Sequence, residues 1–233
     1  RLVGSEMCIR DSLCSGRSRS NIKSPKLLAL GFDGIVAACG THIEFEGEKL
    51  FELLLTKAQI EHILTVLRKH QIPMVLEGPN YIYVDEKDFK DDPYVIYLRN
   101  ELGENLKSIT GTAQYEVNKL SAELGNADVE LVRKELGTEF DMIVHEPDGI
   151  LEIGQAGHSK ASGIERLCAS LGIAKEDTYA FGDSANDVEM LEFVAHGIAM
   201  GNGTDVAKNA AEFVTTDIHK DGIWNGLKHY GLI

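Results

Sequence analysis

An apolar run, Tyr179-Ala180-Phe181, closes on Gly182 and passes directly into Asp183-Ser184-Ala185-Asn186-Asp187. If the run is a strand of an open parallel sheet, its carboxyl end is where such sheets bind ligands. Asp183 and Asp187 then stand at that rim as hard oxygen donors of the kind magnesium takes. Asn186 can donate to a phosphate oxygen. The plainer reading makes Asp183 a turn residue and Asn186-Asp187 a helix cap. Lys160, in Gly157-His158-Ser159-Lys160, opens the helix before this strand. A point charge beside helix-end amides can hold an anion, although a solvated surface lysine would read the same way. Finally, Leu13-Cys14 runs into Ser15-Gly16-Arg17. A hydroxyl and adjacent amides at a strand end can cradle phosphate oxygens, and taken alone this stretch is as well explained as an ordinary turn.

The elements that must carry these residues are readable from periodicity. From residue 159 onward, helical and strand patterns alternate: Ser159 caps a helix with Ile164, Leu167, Cys168 and Leu171 on one face, stopped by Gly172. Strands are expected at 178–181, 197–200 and 213–215, with helices at 186–194, 204–210 and 222–230. This alternation implies a doubly wound parallel sheet. Near the other end, Pro25–Leu30 reads as a short helix and Gly34–Ala38 as a buried strand. Between the two lies a mixed stretch. It opens with a hairpin around Glu46-Gly47-Glu48, followed by a capping box at Thr56 and Gln59 leading an amphipathic helix to His70. Strand-like runs follow at 74–76 and 81–84, with Glu77-Gly78-Pro79-Asn80 between them as a candidate substrate-facing loop or an ordinary turn, then helices at 93–102 and 128–136. Strands at 142–144 and 150–153 are joined by Pro147-Asp148-Gly149. Asp33, in Gly31-Phe32-Asp33-Gly34, is assigned to a turn.

The chain has 233 residues and a formal charge of −14. So acidic a surface repels phosphate backbones and anionic lipid headgroups, which disfavours nucleic acid and membrane as partners. No apolar run reaches membrane-spanning length. Four scattered cysteines without zinc spacing point to a reducing compartment, and a cytoplasmic location is expected. Residues 1–12 show no periodicity, resemble translated adaptor sequence and are expected not to pack.

In their order along the chain, Ser15-Gly16-Arg17, Lys160 and Asp183-Ser184-Ala185-Asn186-Asp187 resemble the second, third and fourth motifs of the haloacid dehalogenase superfamily, in its Cof-type sugar-phosphatase branch. Val36-Ala37-Ala38-Cys39-Gly40 and Ala199-Met200-Gly201-Asn202-Gly203 also fit that branch. The resemblance implies a Rossmann-like α/β core at 13–40 and 155–233 with an inserted α/β cap at 41–154. It implies hydrolysis of small phosphate monoesters, sugar phosphates above all, through an aspartyl-phosphate and with Mg2+. By carry-over, Asp183 and Asp187 serve the metal. Ser15, Gly16, Arg17, Lys160 and Asn186 bind the phosphoryl group, with Ser15 and Lys160 counted as catalytic. The family's first motif, an apolar strand ending in Asp-x-Asp-Gly, should precede Ser15 and is not found there. The chain as given is therefore expected to be inactive, with its core missing a central strand. The alternative is a non-catalytic phosphate- or metal-binding protein of the same fold. A dinucleotide-binding oxidoreductase would need a G-x-G-x-x-G turn after a first strand, and none is present.

Overall fold

The computed structural model describes residues 9–85, 91–109, 115–145 and 149–233. Four of its strands come early. β1 (Ser12–Cys14) pairs in parallel with β2 (Gly34–Ala37), with the short helix α1 (Pro25–Leu28) between them. Ser24 caps α1 and Pro25 takes its first position, where a missing N–H costs nothing. β2 then pairs antiparallel with β3 (His42–Phe45), which turns through Glu46 and Gly47, both at positive φ, into β4 (Glu48–Glu52). This hairpin, placed by sequence at the start of the 41–154 insert, instead continues the N-terminal sheet, whose order is β1-β2-β3-β4.

Residues 9–12, read with residues 1–8 as an unpacked tail, differ from that expectation. Ser12 opens β1 opposite Gly34, and Arg10 lies 5.8 Å from the centre of the Phe45 ring. Asp11 and Asp33 exchange backbone-to-carboxylate hydrogen bonds of 3.3 and 3.1 Å. Pairing with β2 recruits these residues, and it also fixes Asp33 in the turn assigned to it.

The insert is a six-stranded sheet with helices on both faces. In chain order it holds α2 (Lys57–Lys69), β5 (Met74–Glu77), β6 (Ile82–Val84), α3 (Pro93–Leu102), β7 (Leu106–Ser108), β8 (Lys119–Glu123), α4 (Val129–Leu136), β9 (Phe140–His145) and β10 (Ile150–Gln155). The capping box of Thr56 and Gln59 forms as expected. Strand alternation decides the packing. Met74 and Leu76 join Leu120, Leu151 and Ile153 against Ile63 and Leu67 of α2 and Val132 and Leu136 of α4. Val75, pointing the other way, meets Val95, Leu98 and Leu102 of α3. The expected Pro147-Asp148-Gly149 turn lies largely outside the described residues, which resume at Gly149.

The remaining elements alternate as predicted: α5 (Lys160–Leu171), β11 (Tyr179–Gly182), α6 (Val188–Phe193), β12 (His196–Ala199), α7 (Asp205–Ala210), β13 (Phe213–Val214) and α8 (Gly222–His229). The helix expected to start at Asn186 begins instead as a tight turn over Ala185–Asp187 before α6. β11, β12 and β13 are parallel neighbours in that order. Among the described residues, β1 is hydrogen-bonded only to β2 and β11 only to β12. Cys14 packs against Val36 and Leu167 on one side and against Ala180, Met190 and Val194 on the other. Among the described residues, β1 of the N-terminal sheet and β11 of the C-terminal parallel sheet thus each keep one edge unpaired beside a shared interior.

Candidate active site

One cavity of about 660 Å³ opens at the carboxyl ends of β1 and β11. Ser15, Gly16, Arg17, Lys160, Asp183, Asn186 and Asp187, separated by up to 172 positions in sequence (187 − 15), all line it. The site was thus built as a constellation from the start of the chain, the start of α5 and the turn after β11.

Ser159 caps α5 through a capping box with Ser162, which sets Lys160 as the first helical residue. Lys160 is only 6% exposed, so it is not a solvated surface lysine. Its ammonium donates to Asn186 Oδ1 at 2.9 Å and Asp187 Oδ1 at 2.6 Å. Asp187 Oδ2 accepts from the backbone N–H groups of Asp183 and Ser184, at 2.9 and 3.0 Å, and from the Ser184 hydroxyl at 3.1 Å. Burial raises the Asp187 pKa, but the Lys160 charge and these hydrogen bonds outweigh it, and the carboxyl ends below its ordinary value. Both oxygens of Asp187 are therefore engaged in holding the turn. The Asp183 carboxylate has no hydrogen-bond or ion-pair partner among the described residues and is exposed to the cavity.

The Ser15–Arg17 turn closes the opposite side. The Ser15 hydroxyl accepts from Arg17 N–H at 3.1 Å. Gly16 is buried against three neighbours: a Cβ there would lie 3.3 Å from Asn186 Nδ2, 3.4 Å from Cys39 Sγ and 3.5 Å from Glu152 Oε2. A side chain at this position would therefore crowd the residues around the turn. The turn at Ala38–Cys39 braces it from below, with Ala38 N–H donating to Arg17 O and Cys39 N–H to Ser15 O. Both Ala38 and Cys39 hold positive φ, at 49° and 51°, a conformation that costs energy without a glycine.

The roof of the cavity comes from the inserted sheet and was not read from sequence, apart from the suggestion that Glu77-Gly78-Pro79-Asn80 faces a ligand. The register places Lys119 directly opposite Glu77 and Ser121 opposite Glu152. Lys119 and Ser121 are two apart on β8, so they share a face. Four polar side chains from three strands thus meet below the sheet. The Lys119 ammonium is 2.8 Å from Glu152 Oε2 and 3.7 Å from Glu77 Oε1, and His145 Nε2 is 3.3 Å from Glu152 Oε2. The available signal was a charge on each of three largely apolar strands, Glu77 ending β5, Lys119 opening β8 and Glu152 within β10, and such charges seldom lie buried without a partner. Gly78 does not share the cavity, and Pro79 and Asn80 line a second one of about 510 Å³. There His42, 3% exposed, is held between Glu44 and Glu52, and Arg19 and Lys49 pair with the same carboxylates. These charges satisfy one another.

Magnesium binds through one or two carboxylates together with substrate oxygens and water. A free Asp183 carboxylate in a cavity with room for a phosphate fits that donor chemistry. Among the described residues no group of three or more His, Cys, Asp or Glu side chains is placed to hold a metal by itself.

Comparison with known proteins identifies the family and the fold. The family model of haloacid dehalogenase-like hydrolases matches residues 9–227. The candidate phosphatase YkrA of Bacillus subtilis (strain 168) is 31% identical over 239 aligned positions, covering 95% of this chain and 84% of its own length. A hypothetical protein of Geobacillus kaustophilus, 30% identical, superposes with a TM-score of 0.78 over 95% of this chain and 85% of its own. A haloacid dehalogenase-superfamily phosphatase of Bacteroides thetaiotaomicron, 21% identical, shares the fold with a TM-score of 0.80, over 95% and 82% of the two chains. The chain belongs to the haloacid dehalogenase-like hydrolase family, in its Cof-type branch.

Proposed function

We propose that this chain serves as a magnesium-dependent hydrolase of small phosphate monoesters, sugar phosphates foremost, working in a reducing cytoplasmic compartment. The carrying observation is the convergence of Ser15, Lys160, Asn186 and an unpaired Asp183 on one cavity at parallel strand ends. In this reading Ser15 and the turn amides take phosphoryl oxygens, while Lys160 and the Asn186 amide take others. Asp187 holds Lys160 and the turn in place. Asp183 helps hold the metal, which when bound neutralises charge on the phosphoryl group. Arg17 stands at the rim. The inserted sheet roofs the site and excludes water. Names of relatives support the chemistry: YitU of Bacillus subtilis, 36% identical over 138 positions, is a 5-amino-6-(5-phospho-D-ribitylamino)uracil phosphatase, whose substrate carries a phosphorylated sugar alcohol.

A nucleophile is still required, because phosphoryl transfer to an enzyme carboxylate needs one aimed at the phosphorus. The free edges of β1 and β11 support a further parallel strand between them, ending at the cavity in an aspartate. The test compares two proteins with p-nitrophenyl phosphate and Mg2+. One is the chain as given. The other carries an apolar strand ending in Asp-x-Asp-Gly, encoded by the source DNA, in place of residues 1–8. The expected result is turnover by the second alone. Turnover by the first would remove the requirement for an added aspartate. An upstream frame without such a strand, together with phosphate binding by the chain as given, would make it a phosphate-binding protein without catalysis.

A further inference from the structure

The charged roof of the cavity reaches across to the turn below it. Lys119 is 4% exposed, and its ammonium has two carboxylates of its own sheet as neighbours. It nonetheless donates to the carbonyl of Gly16 at 2.9 Å. Each carboxylate does likewise. Glu77 Oε2 accepts from Ser18 N–H at 3.3 Å, and Glu152 Oε1 accepts from the Cys39 thiol at 2.8 Å. Every member of the trio therefore has one bond within the inserted sheet and one to the Ser15–Ser18 turn or to the Cys39 turn that braces it. A buried ion cluster is a poor source of stability, since apolar side chains of like volume serve as well. Its geometry instead gives it the reach of a clasp.

We propose that Lys119 is a positioning residue that latches the inserted cap onto the Ser15–Arg17 turn, so that closing the cap and ordering the phosphate-binding turn are one coupled event. The proposal rests on the phosphate-site reading above, and it assigns to Lys119 a role that the motifs do not contain. The ammonium draws the Gly16 carbonyl towards the roof. This orients the peptide that joins Gly16 to Arg17. Linkage makes the effect reciprocal: whatever orders the turn also holds the cap, by the same factor.

Cys39 provides a direct readout, because its thiol lies in the seam between roof and turn. Burial and the neighbouring Glu152 charge push its pKa up, which suppresses the reactive thiolate while the seam is closed. The experiment measures alkylation of Cys39 by N-ethylmaleimide, mapped by peptide mass spectrometry, with and without inorganic phosphate and Mg2+. Cys168, on α5 away from the seam, is the internal reference for an intact core. In the unsubstituted chain phosphate should slow Cys39 labelling severalfold. Lys119→Met should label roughly tenfold faster without phosphate, lose the phosphate response and bind phosphate roughly tenfold more weakly. Lys119→Arg, which can still donate across the seam, should recover much of both. If Lys119→Met does not fold, Glu77→Gln carries the test, with an intermediate labelling rate expected.

Unchanged Cys39 labelling in the variants, with Cys168 also unchanged, overturns the latch while leaving the phosphate site intact. No phosphate binding by the unsubstituted chain, with the labelling differences preserved, overturns the phosphate-site reading and the coupling, and leaves only a mechanical clasp.

Discussion

Lys160 and Asp187 show how a single pair carries both the stability and the chemistry of the site. Each is about nine-tenths or more buried, and each depends on the other for compensation of its charge. Lys160→Met should leave Asp187 buried beside only neutral donors and lower unfolding free energy by about 3 kcal/mol, read from urea denaturation, while abolishing measurable phosphate binding. Lys160→Arg, which keeps the charge, should keep most of the stability, and a purely structural role would leave its phosphate binding unchanged as well. The roof carboxylate Glu152 gives a pH signature. Burial raises its pKa, but Lys119 and hydrogen bonds from His145 and Cys39 outweigh that and bring it from an ordinary 4.5 down to about 2. A depressed carboxyl stabilises the fold above its unfolded pKa and loses that contribution as pH falls through the folded value. The loss, on the order of 3 kcal/mol, should therefore fall between about pH 4.5 and pH 2. A urea midpoint series in Glu152→Gln should show a flatter acid limb than the parent, and parallel limbs would mean that the carboxylate is not held as described. Lys160, Asp183 and Asn186 were legible because each stands at the end of a periodic element, where a polar residue has a local reason to be. Lys119 and Glu152 were not legible, because only strand register brings them together, and register is set by three strands drawn from separate parts of the chain.

At the scale of elements, what aims Lys160 is the close approach of the first turns of α5 to the turn after β2. A Cβ on Gly163 would fall 2.6 Å from Gly40 Cα and 2.7 Å from Val36 Cγ1, both inside contact distance. Gly40, at φ 84°, has the same constraint from the other side, where a Cβ would lie 2.4 Å from Ser159 O. The two glycines let helix and turn touch backbone to backbone. Gly163→Ala improves helix propensity by up to about 1 kcal/mol, yet it must displace α5. Overpacking of this kind costs about 1–3 kcal/mol, so net destabilisation is expected, with weaker phosphate binding because Lys160 moves with the helix. A more stable variant with unchanged binding would show that α5 has slack. The hairpin β3–β4 marks the limit of sequence reading at this scale. Its alternation and its Glu46-Gly47 turn predicted the element correctly, and nothing local to it distinguishes pairing with β2 from pairing with the inserted sheet. That choice is made by β2, which has a free side once β1 occupies the other.

At the scale of the whole molecule, the described residues divide between a well-filled insert and a core in which β1 and β11 are each hydrogen-bonded on one side. The insert buries Ile63, Leu67, Met74, Leu76, Leu120, Val132, Leu136, Leu151 and Ile153 in one continuous cluster. The core around the site relies on two small groups, Val36 with Ile43 and Leu167, and Ala180 with Met190 and Val194. Buried apolar area is the main stabilising quantity, and strands bonded on one side only exchange their amides through small local openings. The two parts should therefore open independently. Native-state hydrogen exchange should find β8 and β10, each paired on both sides, the slowest strands to exchange. β1 and β11 should exchange roughly a hundredfold faster or more, since their openings do not require the insert to unfold. Adding the strand that ends in Asp-x-Asp-Gly supplies both free edges at once, so protection should rise in β1 and β11 together, with little change in β8. Protection rising at β1 alone would place the added strand elsewhere, and the aspartate at its end would then not face Lys160 and Asp183. Equal exchange across all four strands in the parent chain would mean that core and insert unfold as one unit, with the edge strands opening only when the insert does.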